Sequence, residues 1–96
     1  MPHPVEADAW DWDDGNESEL ARHGIGTTEV EDVFLSDPRW VPNKRHRAGD
    51  WKMLGRTRGG RRLTIVVRYD PARRLLRPIT GWDTTVAERS RYSKGR

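Results

Sequence analysis

The sequence predicts an α+β fold: two N-terminal helices packed on a mainly antiparallel four-stranded sheet, closed by a C-terminal helix. Three observations carry this. From Asp50 to Trp82, three runs rich in β-branched, aromatic and other apolar residues are separated by two turn signals, Arg58-Gly59-Gly60-Arg61 and Tyr69-Asp70-Pro71-Ala72, the pattern of an antiparallel meander. Ahead of it, Val30, Val33 and Phe34 fall at helical spacing. Behind it, Asp83-Thr84-Thr85 is a helix start.

In chain order, residues 1–9, with Pro2 and Pro4, read as a frayed end. Trp10-Asp11-Trp12-Asp13 alternates as a short half-buried edge strand does, and Asp14-Gly15-Asn16 turns the chain. Asn16 or Ser18 is positioned to cap a brief helix through Leu20 and Arg22, stopped by Gly24. Thr28 and Glu31 stand in capping-box spacing for the second helix, which Ser36-Asp37-Pro38 ends. Trp40-Val41 can begin a strand, and residues 42–49 form a basic connecting loop.

Within the meander, Leu63, Ile65, Val67 and Tyr69 share one face while Thr64, Val66 and Arg68 share the other; Trp51 and Met53 likewise oppose Lys52, Leu54 and Arg56. One face can pack under helices and one can stay open. In the last strand the alternation is ambiguous, and Pro78 marks an edge or a bulge. The closing helix runs from Val86 to Tyr92, before a flexible tail over residues 93–96.

Ninety-six residues suffice for one domain with a modest core. There is no cysteine, which excludes disulfides, thiolate metal sites and cysteine nucleophiles. No apolar run approaches the roughly 18 residues of a membrane span, and the opening residues lack the features of an export signal, so a cytoplasmic protein without a membrane partner is expected.

Charge is distributed unevenly. Residues 1–37 hold eleven acidic side chains against Arg22 alone, a net of −10, whereas residues 38–96 hold seventeen basic against four acidic, a net of +13. Such a density favours a polyanion or an acidic partner, with nucleic acid the obvious candidate. The alternative is that the acidic third folds over the basic remainder and the two fields partly cancel.

Several short motifs then line up in order: Trp12-Asp13; Asn16 with Leu20-Ala21-Arg22-His23-Gly24-Ile25; Glu29 to Phe34; Gly55-Arg56-Thr57; Gly60 to Val67; Arg77-Pro78-Ile79-Thr80; and Glu88-Arg89 with Tyr92. Over roughly residues 10 to 92 this resembles the BrnT-like toxins of bacterial type II toxin–antitoxin pairs, small proteins of the RelE type. The resemblance implies a RelE-like fold and a metal-independent endoribonuclease that cleaves mRNA. It also implies a cognate antitoxin encoded by an adjacent gene, in a homodimer or a toxin–antitoxin heterotetramer. The family ends the last strand with Ser-Ala-Arg, where this chain has Thr80-Gly81-Trp82. Similar proteins can serve instead as non-catalytic binding modules for nucleic acid or an acidic antitoxin.

RNA cleavage without a metal needs the 2′-hydroxyl aligned for in-line attack and fixed donors on the phosphoryl oxygens. Arginine suits the second task because its planar fork binds phosphate bidentately. The catalytic candidates are Arg56 and Arg77 for charge, and His46 and Tyr92 for proton transfer. Cations around His46 favour its neutral, base-competent form. Lys44, Arg45, Arg47, Lys52, Arg68 and Arg89 are the further RNA-binding candidates, with Trp82 as a stacking platform. His3, His23 and His46 lack ligand spacing, so no metal and no cofactor are expected.

Overall fold

The computed structural model describes residues 2–43 and 49–93. It is α+β, with a five-stranded mixed sheet in place of the expected four strands. The strands are β1 (Ala9–Trp10), β2 (Arg39–Pro42), β3 (Trp51–Arg56), β4 (Arg62–Asp70) and β5 (Leu75–Asp83), in the spatial order β1-β5-β4-β3-β2. The helices are α1 (Asp14–Arg22), α2 (Thr27–Leu35) and α3 (Val86–Ser93).

β3, β4 and β5 form the expected antiparallel meander, with Met53 opposite Ile65 and Ile65 opposite Gly81. β4 is the central strand because its residues 63–67 are all buried, as a β-branched run allows. The fifth strand is β1, an edge strand as expected near Trp10 but over Ala9–Trp10 and not Trp10–Asp13; its two residues pair in parallel with Leu75 and Leu76. Parallel pairing requires a long return of the chain, and local alternation carries no trace of it.

The opening residues, read as frayed, are packed instead. His3 sits with its ring 4.9 Å from that of Trp51 and 5.7 Å from that of Trp40, Pro4 is buried, and Arg74 pairs with Asp8 at 3.3 Å.

Both N-terminal helices start one or more residues earlier than the spacing suggested. Asp13 caps α1: the Asn16 amide nitrogen donates to Asp13 Oδ1 (3.0 Å) and the Asp13 amide donates to Asn16 Oδ1 (2.8 Å). Asn16 does more than cap. Its Nδ2 donates to the Asp11 and Pro78 carbonyls, the second of which lies beside the β5 irregularity opposite Val66 and Val67. Thus Pro78 marks a bulge, and a buried amide satisfies the carbonyl there. At α2, Gly26 is the N-cap and Glu29 accepts its amide hydrogen.

One face of the sheet meets α1 and α2. Leu20, Ile25, Val30 and Val33 close over Met53, Leu63, Ile65, Val67, Tyr69 and Leu76, all buried. Fully burying such a side chain stabilises by about 1.5–3 kcal/mol. Trp10, Trp12, Trp40 and Trp51 are half-buried against this cluster with Phe34, which accounts for four of the five tryptophans as packing residues.

α3 lies on the opposite face. Thr85 and Glu88 cap it reciprocally, the Glu88 amide donating to Thr85 Oγ1 (3.1 Å) and the Thr85 amide to Glu88 Oε1 (3.0 Å). Through residue 92 none of its residues is buried. Among the described residues, no helix is long and apolar enough to cross a membrane.

Candidate nucleic-acid interface

Strand alternation sorts the cations. In register, Arg56 stands directly opposite Arg62, Lys52 opposite Val66, and Arg39 opposite Leu54, so Arg39, Lys52, Arg56 and Arg62 all lie on the face away from α1 and α2. α3 covers part of that face and leaves a groove of about 750 Å³ beside it. Its lining includes Arg39, Arg56, Arg62, Arg89 and Tyr92, with Asp37 and Glu88 as the acidic members.

The groove concentrates like charge. The Arg62 guanidinium is held below its ordinary pKa first by the charge of Arg56, then by desolvation and by Arg89. Among the described residues, no carboxylate lies within ion-pairing distance of Arg39, Arg56 or Arg62. Glu88 is engaged below them: its Oε1 accepts from Trp82 Nε1 (3.0 Å), Thr64 Oγ1 (3.3 Å) and the Thr85 amide. That network holds α3 to the sheet and so places Arg89 and Tyr92 over it. Lys52 Nζ lies 5.5 Å from the centre of the Tyr92 ring, a cation–π approach.

Of the sequence candidates, the fold therefore brings Arg56, Arg89 and Tyr92 to one groove, with Lys52 against Tyr92. Trp82 is half-buried on the same face as Thr64, with its indole nitrogen committed to Glu88, and it does not line the groove. Arg68 is an exposed residue toward the other end of β4, opposite Arg77.

Arg77 itself is claimed by the opening third. Its Nη1 lies 2.9 Å from Asp13 Oδ2 and 3.5 Å from Asp11 Oδ1. The Arg77 hydrogen bond, with that of the Asn16 amide, holds Asp13 below the usual carboxylate range. His46, Lys44, Arg45 and Arg47 lie outside the described residues.

Arg62 and Arg39 were absent from the sequence-derived site. Arg62 was legible, since it shares parity with Thr64 and Arg68 in β4. Arg39 was not, because its face depends on pairing between β2 and β3 across the basic loop.

Arg61 shows the opposite fate. It donates to both carboxylate oxygens of Glu29, to Asp83 and to the Gly24 carbonyl, tying the α1–α2 turn to the end of β5. Those carboxylates raise its pKa, Asp83 foremost. It is an architectural residue.

Chemically, the groove offers several guanidinium forks within one concavity and a phenol beside them, a set able to hold successive phosphates of an extended strand. Among the described residues, no three His, Asp or Glu side chains are grouped to ligate a metal ion. No protein-family model matches the chain, and comparison with curated proteins finds no match.

Proposed function

We propose that the chain is a RelE-type, BrnT-like toxin of a type II toxin–antitoxin pair, and that it cleaves RNA without a metal in the groove between α3 and the open face of the sheet. The single observation behind this reading is the convergence of Arg39, Arg56, Arg62 and Arg89 on one groove, with like charge on Arg62 uncompensated by a neighbouring carboxylate. Such crowding raises the free energy of the folded protein unless an anion is bound.

In this reading Arg56 and Arg62 bind the scissile phosphoryl oxygens and stabilise the charge that develops there. Arg89 holds a neighbouring phosphate, and Tyr92, beside the Lys52 ammonium, serves proton transfer. By sequence alone, His46 is the second proton-transfer candidate, and Lys44, Arg45 and Arg47 are further RNA-binding candidates. The partners are RNA and an antitoxin encoded by the adjoining gene, and the setting is the cytoplasm.

A second reading has a specific observation in its favour. Arg77, one of the two arginines assigned to charge stabilisation, is held by Asp11 and Asp13, which suits a surface that binds a strand without cleaving it. Incubation of the purified protein with single-stranded RNA in EDTA separates the two. Cleavage products ending in 2′,3′-cyclic phosphate are expected; intact RNA at large protein excess, with salt-sensitive binding, selects the binding module.

A further inference from the structure

Asp37 is costly to the fold on three counts. It occupies the C′ position of α2, after the Ser36 cap, with φ +59°, a conformation that glycine or asparagine ordinarily supplies. It precedes Pro38, which disfavours compact conformations in the residue before it. It also sets a negative charge at a helix C-terminus, where the dipole is already negative. None of this is repaid locally: among the described residues the Asp37 carboxylate makes no hydrogen bond or ion pair, although four arginines line the same groove.

Its position is nonetheless fixed. The Ser36 hydroxyl donates to the Val33 carbonyl (2.6 Å) and accepts from the Arg56 amide (3.3 Å). Pro38 is buried, and the loop packs so closely on β3 that a Cβ at Gly55 would lie 2.6 Å from Ser36 Oγ. Asp37 therefore lines the groove on a short, well-supported segment that also meets the backbone of Arg56.

A lone carboxylate beside a phosphate-binding surface repels phosphate, so its use must lie with a donor-bearing group. Among the four RNA bases, guanine alone presents two adjacent donors, N1–H and the N2 amine, that match the two oxygens of a carboxylate. Unstacked bases of single-stranded RNA are read on that edge. Resting on the RNA reading above, we propose that Asp37 is the specificity residue of the groove, accepting both hydrogen bonds from a guanine whose flanking phosphates lie on Arg39 and Arg56.

The test measures binding to short 2′-O-methyl oligouridines, which cannot undergo 2′-hydroxyl cleavage, carrying one central guanosine, inosine or uridine. Inosine keeps N1–H and lacks the amine. The wild-type protein is expected to bind the guanosine strand about ten-fold more tightly than the inosine strand, the scale of half a bidentate contact. Asp37→Asn should bring that ratio to about one, because an amide cannot accept twice in that geometry. Asp37→Gly should do the same while raising Tm, since glycine suits the backbone and removes the charge. Equal binding of all three strands by the wild-type protein, with Arg56→Ala still weakening each, overturns the Asp37 assignment alone. Retained guanosine preference in Asp37→Asn, or a lowered Tm in Asp37→Gly, also overturns it. Absence of any RNA binding at low salt overturns the RNA reading and this assignment together.

Discussion

Two regions of the molecule handle charge in opposite ways: the surroundings of the opening third, and the groove beside α3. In the strand connections and along β5, the acids of the opening third reach basic residues of the later chain: Glu29 meets Arg61, Asp8 meets Arg74, and Asp11 and Asp13 meet Arg77. On the open face, Arg56 and Arg62 stand opposite each other and crowd Arg89. The first arrangement lowers the free energy of folding and asks nothing of a partner. The second raises it, and in the proposed reading a bound anion offsets it. A chain of modest net charge thus divides its basic residues between those held by carboxylates and those left crowded in the groove, and the proposed function gives the second set its use.

Disturbing the covered face should act most strongly, and on stability alone. Leu20→Ala empties a fully buried site in the core cluster and should cost about 3 kcal/mol in denaturant unfolding. RNA affinity of the fraction that remains folded should be unchanged; a matching loss of affinity there would mean that the two faces are not independent.

The sharpest contrast is between two arginines. Arg56→Ala should lower RNA cleavage about 100-fold, the scale of one removed charge-stabilising donor, with Tm nearly unchanged. Arg77→Ala should leave cleavage within about two-fold, because its guanidinium is already bound to Asp11 and Asp13. Single-turnover cleavage of one RNA by both variants checks this, and equal losses would erase the distinction drawn between the arginine held by carboxylates and the arginine of the groove.

Gly81→Ala probes the join. A Cβ there would lie 2.7 Å from Ile65 Cδ1 and 2.9 Å from the Thr64 carbonyl, so the sheet must shift, at about 1–3 kcal/mol by thermal unfolding.

Salt and pH give the smallest effects. Arg62→Ala should reduce the log–log salt slope of RNA binding by about 0.7, one phosphate contact on a single strand. Asp13 and Asp83 are both held below their usual carboxylate pKa by arginine. The stability they confer is fully present above the unfolded carboxylate range of about pH 4 and is lost as pH falls through their lower folded values. Tm should therefore decline below about pH 4, and Arg77→Ala should flatten the part that belongs to Asp13.

Local pattern carried far in places. Alternation in residues 51–56 and 63–69 assigned the correct faces, Pro78 marked the bulge, and the Val30-Val33-Phe34 stripe located α2. The helix starts were misplaced because Ser18, Thr28 and Glu31 fit capping rules as well as Asp13, Asn16, Gly26 and Glu29 do. The candidate site was half legible: Arg56, Arg89 and Tyr92 converge, Arg62 was missed although its parity with Thr64 and Arg68 pointed to it, and Arg39 and Asp37 did not appear until β2 and the end of α2 were placed beside β3.

By itself, then, the order of residues determined the meander, the buried stripe and which side of β3 and β4 a cation takes, because these depend on backbone periods of 2 and 3.6 that neighbouring residues express. Tertiary structure alone decided that Ala9–Trp10 joins β5, that Asn16 closes the bulge at Pro78, and that Arg77 is neutralised while Arg56 is not. The physical reason is that a guanidinium has the same chemistry wherever it stands in a sequence. Whether it finds a carboxylate or another arginine is settled by packing between segments dozens of residues apart, which no local period records.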